Sequence, residues 1–243
     1  MTTDEFNNEF DILYDSIVSL GAPDLDKYEK SVFLTKAQLE LVKEVNGPIN
    51  KYGTSFEGSD KRRADMRELI KNATIVPTKK SDGLDKDSYT AQLPDDCFLI
   101  KFESALYPVG GCDEKALIEI VPIKYDEYHK QKRNPFRQPD HQNGFRLDIA
   151  SNDTGKNVEL ISSKAIDTYQ IRYVQYPTPI VLTDLDWVSS SETLSVDGVE
   201  VRTECKLDQE FHREILDRAV QLAMLAYKGE ALPSKVQLDQ RNN

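Results

Sequence analysis

Several residues that commonly carry out chemistry are present in this sequence, but none has the spacing that its chemistry requires. Gly53 and Gly58 are spaced as in a phosphate-binding loop, yet Ser59 and Asp60 stand where lysine and a hydroxyl residue would contact phosphate. An aspartate at this point repels phosphate. The two glycines therefore favour a turn that leads into a helix.

The potential metal ligands and nucleophiles are scattered. The histidines fall in three different predicted elements and the cysteines share no close spacing: His129, His141, His212, Cys97, Cys112 and Cys205. An odd number of separated cysteines is typical of free thiols in a reducing compartment. Asp85 and Asp87 are spaced as in a calcium loop, but Thr90 replaces the glycine that such a loop needs. The sequence predicts no catalytic residue, metal or cofactor, and so a protein that is not an enzyme.

Composition indicates a globular protein. The chain has 243 residues, of which 39% are hydrophobic and 21 are aromatic, enough to bury a core. Its apolar runs are far shorter than the ~18 residues that a membrane span requires, and its acidic start does not look like a secretory signal. We expect an intracellularly made protein with no membrane partner.

Charge points to protein partners and away from nucleic acid. The formal net charge is −11, whereas DNA binding requires cations that displace counterions from phosphates. The distribution is uneven, with 12 acidic and 5 basic residues in 1–60, 7 basic and 2 acidic in 61–80, and 5 basic and 1 acidic in 128–146. Opposite patches suit complementary partners or identical subunits that meet head to tail. Solvated surface charge without a partner explains them equally well.

The first third of the chain is predicted to be helical. Phe6 to Leu20 carry an apolar stripe that begins at a capping box of Thr2 and Glu5. A second helix is predicted to start at a box of Thr35 and Gln38 and to stop at Gly47. A third is expected after Ser59, with Met66, Leu69 and Ile70 turned inward.

The middle of the chain is predicted to form strands joined too closely for helical crossovers, and so a mainly antiparallel sheet. The strands are expected at 97–107, 115–123, 145–149, 158–163 and 168–176, with a hairpin of 193–196 and 199–203 around Asp197-Gly198.

The end of the chain is predicted to return as a helix. Asp208 is a plausible N-cap for a stripe formed by Phe211, Ile215, Ala219, Leu222 and Ala226. The fold class is therefore α+β, with N-terminal helices and a returning C-terminal helix forming a bundle and a mainly antiparallel sheet domain inserted. The predicted domains are 1–75 with 205–229, then 90–204 with a basic loop at 128–144, and an extended tail at 230–243.

Two segments are candidates for partner contacts. The loop at 130–139 contains two prolines and carries Lys130, Arg133, Phe136 and Arg137, and arginine with an exposed aromatic suits an interface. A rigid loop folded on its own sheet is an equal alternative. The terminal tail could dock on a partner once ordered.

Several stretches resemble the head-to-tail connector proteins of tailed bacteriophages, especially neck ring proteins of crAss-like phages. The matching stretches are 10–23, 26–38, 56–63, 134–137 and 211–220. The resemblance implies a structural virion protein, made in the host cytoplasm, that forms a twelvefold ring beneath the portal in the phage neck. It also implies a helical bundle combined with a β-domain, and a C-terminal extension on the portal.

The resemblance sets the expected partners. These are further copies of the chain in a dodecamer, the portal protein and the next neck or tail ring protein, with genome DNA passing through the channel without sequence-specific binding. Arg62 and Arg63, with the basic loop, are candidates for the subunit interface. The candidates for portal docking are apolar tail residues: Leu232, Pro233, Val236 and Leu238.

Other functions remain open. They are a lower tail ring or other minor virion protein, a phage enzyme or host-modulating factor, and a DNA-packaging accessory factor. An enzyme would need a cleft where histidine or Cys112 meets carboxylates. A packaging factor would bind DNA in a salt-dependent manner through 61–80 and 128–146.

Overall fold

The computed structural model describes residues 1–17, 24–47, 66–80, 83–109, 115–152, 155–185 and 194–228. Two compact units divide the chain. One contains Met1–Leu69 and Pro177–Asn243, and the other is Ile70–Tyr176. We call them the helical unit and the sheet unit.

Helix α1 spans Thr3–Ile17. Its start confirms the predicted capping box: the Thr2 amide donates to the Glu5 carboxylate at 2.8 Å, and the Glu5 amide donates to the Thr2 hydroxyl at 3.3 Å. Phe6 and Phe10 on the predicted stripe are fully buried.

Helix α2 spans Lys27–Asn46, and its predicted start at Thr35 is wrong. Asp26 and Glu29 form a capping box two turns earlier, which satisfies the first free amides of the helix. Gly47 caps the other end, as predicted.

Hydroxyls on α2 serve a different purpose, which is to hold the segment at 177–185. The Thr35 hydroxyl accepts from the Ile180 amide at 3.1 Å and donates to the Ile180 carbonyl at 3.3 Å. One turn earlier, the Ser31 hydroxyl accepts from the Leu182 amide at 3.0 Å. The extended segment is thereby hydrogen-bonded to a helix.

Helix α4 spans Gln209–Lys228 and packs against α2 and α1 in the helical unit. The predicted stripe is buried from Phe211 to Leu222, whereas Ala226 is exposed. The Arg218 guanidinium donates two hydrogen bonds to one Glu40 oxygen, at 2.8 and 2.7 Å, and so joins α4 to α2.

The third predicted helix is wrong at its end. Met66 and Leu69 are buried, but residues 67–69 form one 3-10 turn and Ile70 begins a strand. Pairing with the strand at 168–175 determines the conformation there. The expected start after Ser59 lies outside the described residues.

The sheet has eight strands in the part of the chain described. They are β1 Ile70–Ile75, β2 Thr78–Lys79, β3 Ser88–Gln92, β4 Cys97–Pro108, β5 Lys115–Pro122, β6 Asn143–Asn152, β7 Gly155–Ile161 and β8 Thr168–Gln175. Their order in the sheet is β1-β8-β4-β5-β6-β7-β3-β2. The five predicted strands are all present, and the α+β class is confirmed.

The sheet is mixed because β5 and β6 are parallel, while the other described pairs are antiparallel. A parallel pair needs a crossover, which is supplied here by residues 123–142 with helix α3, Tyr125–Lys132. The prediction that no helical crossover fits between the strands is therefore wrong.

The sheet unit has its main core on one face of the sheet. Tyr169 and Ile171 of β8 share a cluster with Val158 and Leu160 of β7, although three strands separate β8 from β7 in the sheet order. The sheet therefore curls over its inner face. A smaller cluster lies beneath α3 and includes Tyr128, Phe145 and Leu147.

The predicted Asp197-Gly198 turn is present, with φ of 48° and 80° at the two residues. Val196 and Val199 exchange hydrogen bonds at 3.0 and 2.9 Å across it. The prediction of hairpin strands at 193–196 and 199–203 around this turn is wrong. In residues 194–203 the pairing is a single bridge, and Thr203 pairs instead with Val181.

Candidate interaction surfaces

One side chain of helix α3, Tyr128, is buried against the sheet. Tyr128 is 1% exposed and packs on Phe145, Leu147 and Ile161. Its hydroxyl donates to the Asp85 carboxylate at 3.1 Å. The ring thus holds a short, mostly polar helix in one position.

Asp85 also binds the cation at the end of this helix. Lys132 Nζ lies 2.6 Å from its Oδ2, and the Lys86 amide donates to its Oδ1 at 2.7 Å. Burial opposes ionisation of Asp85, but the hydrogen bonds from Lys132, the Lys86 amide and Tyr128 outweigh it and lower the pKa of this carboxyl. Asp85 is therefore a stable anion that fixes the end of α3.

The loop after α3 is held by its own turns. The Asn134 side chain accepts from the Phe136 amide at 3.0 Å, and its carbonyl accepts from the Arg137 amide at 3.0 Å. The Asp140 carboxylate accepts from the amides of Gln142 and Asn143, at 2.8 and 2.7 Å. Hydrogen bonds within the loop therefore give it a defined shape.

The predicted interface residues lie together on this exposed surface. Lys130 belongs to the last turn of α3 rather than to a loop, and Arg133, Phe136 and Arg137 follow it. Phe136 is 95% exposed, far more than an aromatic ring of the core. No described carboxylate pairs with these three cations. We call Lys130, Arg133, Phe136 and Arg137 the basic loop surface.

The remaining predicted residues lie outside the described part of the chain. This applies to Arg62 and Arg63 and to the four tail residues Leu232, Pro233, Val236 and Leu238. Their roles stay predictions.

The histidines do not converge on a site. His129 and His141 are exposed in the sheet unit. His212 is buried in the helical unit, with its Nε2 2.9 Å from the Leu207 carbonyl and its ring against Phe6. Among the described residues, no group of three or more histidine, cysteine or acidic side chains could hold a metal ion.

The two described cysteines are unreactive by their surroundings. Burial raises the pKa of the Cys97 thiol and raises that of Cys205 to about 11, so both stay protonated at neutral pH. Cys112 lies outside the described residues.

A buried polar network that was not predicted from the sequence crosses the inner face of the sheet. The Tyr169 hydroxyl donates to Glu103 Oε2 at 2.5 Å, and Arg146 Nε lies 3.3 Å from Glu103 Oε1. Burial raises the pKa of Glu103, and the hydrogen bond from Tyr169 and the charge of Arg146 only partly offset it. Charged residues at inward positions of β4 and β6 were the available signal. We interpret this network as structural, because its three side chains are mostly buried and contact one another.

No helix among the described residues is long and apolar enough to cross a membrane.

The comparisons with known proteins extend over nearly the whole chain. Residues 1–235 match the family described as phage tail ring protein 3/4 of crAss-like phages. The chain is 39% identical over 247 residues to ring protein 4/5 of Bacteroides phage crAss001, and this match covers all of both chains. It is 37% identical over 230 residues to ring protein 3 of the same phage, covering 93% of this chain and 96% of that one. The chain therefore belongs to the crAss-like phage ring protein family and is a structural ring protein of the virion that assembles with other tail or neck components.

Proposed function

We propose that this ring protein forms a twelve-membered collar in the phage neck, joins the portal to the tail and lines the DNA channel without doing chemistry. The observation that carries the proposal is the full-length similarity to ring proteins of one phage. The basic loop surface supports a role in protein contacts, since it is exposed, shaped and unpaired among the described residues.

Charge supports a passive channel. At −11 per chain, twelve copies would carry roughly −130, and an acidic wall repels the DNA backbone so that the genome slides without sticking. We expect acidic side chains on the channel wall of the assembled ring. A basic wall would contradict this part of the proposal.

The subunit contact is assigned to the basic loop surface and to Arg62 and Arg63. Reversing Arg133 and Arg137 to glutamate should reduce incorporation of the chain into virions, and added salt should partly restore it, since the reversal turns an attraction at the contact into a repulsion that salt screens. The control is the same charge change at Lys86 and Lys164, which are exposed in the same unit. Equal incorporation of both double variants would discard the loop as an interface.

Arg62 and Arg63 form the second pair, with Lys86 and Lys164 as the same control. Their reversal to glutamate should weaken assembly in a salt-dependent way if residues 61–80 meet an acidic patch of a neighbour.

A lower ring of the tail is the second candidate, because the matching family is described by the word tail. The deciding experiment is imaging of purified virions with quantitative mass spectrometry of copy number. Twelve copies next to the portal support the neck assignment. A ring separated from the portal by other rings supports the tail.

A further inference from the structure

An open groove lies beside strand β1 in the sheet unit. Its volume is about 640 Å³, and it is lined by residues between 73 and 78 on one side and between 90 and 95 on the other. It exists because β1 pairs with β8 whereas β2, two residues further along, pairs with β3. Val76 and Pro77 connect β1 to β2, and these two strands lie at opposite ends of the sheet order.

No described strand pairs with the outer edge of β1. β1 is the first strand in the sheet order and pairs on one side only. Among the described residues, no backbone hydrogen bond reaches residues 70–75 from the other side. Every second residue of an edge strand presents its amide and carbonyl outward, and such an edge is a template for another strand.

The walls of the groove favour a strand with alternating side chains. Ala73, Ile75 and Leu93 give the lining an apolar part that continues the main core, whereas Thr74, Thr90, Gln92 and Asn157 add polar groups. Asp95 is exposed at the rim. An entering strand should therefore turn apolar residues toward the apolar part of the lining and polar or basic residues toward solvent.

One segment of this chain has that pattern. Residues 234–239 read Ser-Lys-Val-Gln-Leu-Asp, in which Val236 and Leu238 alternate with polar residues and no proline intervenes. Six extended residues span ~20 Å, the length of the six-residue β1. The five residues from Gly229 to Pro233 reach up to ~17 Å beyond the end of α4.

The geometry points to residues 234–239 of a second copy of this chain as the occupant, added to β1 as a further strand with Lys235 beside Asp95. The inference rests on the proposed ring, in which every subunit has one groove and one tail, so that head-to-tail use leaves none unfilled. It gives the tail an acceptor other than the portal, to which the sequence analysis assigned it.

The test uses a synthetic peptide of residues 230–243 with a photoreactive benzophenone side chain in place of Val236. The peptide is titrated into the full-length chain that carries Gln237→Pro, so that the chain's own tail does not compete. We expect light-dependent attachment within residues 70–76 or 90–95 and slower amide exchange in β1. A peptide that itself carries Gln237→Pro should bind about tenfold more weakly, because proline removes a ladder hydrogen bond. A peptide with Asn242→Pro, outside the segment, should bind as the parent does.

Three results of the titration would overturn the inference. They are attachment elsewhere on the chain, no attachment, or attachment only to the portal protein when purified portal is added to the mixture. Binding only to the tail's own subunit would also overturn it. To distinguish the two cases, isotope-labelled and unlabelled full-length chains that carry the photoreactive group at position 236 are mixed and irradiated. Cross-links between a labelled and an unlabelled chain show attachment to a second copy.

The outcome is separable from the proposed function. Virions with a twelvefold ring next to the portal and no attachment in the groove would refute the strand addition alone. Attachment in the groove with no ring next to the portal would refute the neck assignment alone.

Discussion

Replacing Tyr128 with alanine tests whether one side chain holds α3 and the basic loop surface in place. Tyr128 is the only residue of this eight-residue helix that is buried. Its ring fills the space above Phe145 and Leu147, and its hydroxyl binds Asp85.

The expected cost follows from this environment. Truncating a fully buried aromatic ring to alanine costs about 3–5 kcal/mol, through lost burial and the cavity left behind. The hydroxyl adds about 1 kcal/mol of this, since Asp85 keeps its bonds to Lys132 and to the Lys86 amide. We therefore expect Tyr128→Ala to cost about 4 kcal/mol and Tyr128→Phe about 1 kcal/mol.

Tyr125 is a matched control on the same helix. It lies three residues earlier, is 57% exposed, and its hydroxyl donates to the Asp148 carbonyl. Tyr125→Ala should cost less than about 1 kcal/mol, because most of its surface already contacts water.

The assay is the urea dependence of amide exchange in β6 and β7, which reports the opening free energy of the strands beneath Tyr128. Similar costs for Tyr125→Ala and Tyr128→Ala, or a cost below about 1 kcal/mol for Tyr128→Ala, would refute the assignment of Tyr128 as the anchor of this helix.

Three other substitutions test separate features. Arg218→Ala should cost about 2 kcal/mol of unfolding free energy, because it leaves the mostly buried Glu40 carboxylate without its partner. Arg202→Ala, at an exposed pair with Asp4, should cost less than about 0.5 kcal/mol in the same urea titrations. Equal costs for the two variants would contradict this prediction. Glu103→Gln should flatten the pH dependence of stability, because burial raises the pKa of Glu103 in the folded chain. The stabilising contribution of Glu103 is therefore full below its unfolded pKa of about 4.3 and is lost as the pH rises through its folded pKa. Urea midpoints measured from pH 3 to 8 that rise with pH for the wild type relative to the variant would refute this prediction. Gly198→Ala should cost about 1 kcal/mol, because φ is 80° while no atom lies within 4 Å of the added Cβ; a thermal denaturation loss above about 3 kcal/mol would mean that an unseen contact dominates.

Elements whose apolar residues recur in a clear pattern were predictable from the sequence. α1 and α4 have continuous apolar stripes, and the strands from β4 to β8 are rich in branched and aromatic residues. The start of α2 was misplaced because Thr35 fits a capping box in sequence, while its hydroxyl in the fold binds the backbone of Ile180.

The elements that were missed have weak local signals. β1 is an edge strand with exposed Lys71 and Asn72, so it lacks a clean alternation. α3 has no stripe because Tyr128 alone is buried. Pairing partners distant in sequence, which no local pattern reports, determine both.

From the sequence, the interface residues could be predicted only as a group of basic residues around one aromatic residue, without their exposure or arrangement. The basic loop residues are grouped by position, and the structure adds that Phe136 is exposed and that Asn134 shapes the turn. The edge of β1 gave no sign in sequence, because an edge position is a property of sheet order.

The hydroxyls of Ser31 and Thr35 have a consequence for which substitutions α2 tolerates. Four residues along a helix advance ~6 Å, and two residues along an extended chain advance ~6.6 Å, so the two repeats nearly coincide. Positions 31 and 35 can therefore meet alternate peptide groups at 180 and 182, and the helix acts toward them as a neighbouring strand would. Valine at position 35 would keep the shape of threonine but leave the buried Ile180 amide without a hydrogen-bond acceptor. At positions 31 and 35 the hydroxyl oxygen therefore matters more than the volume of the side chain.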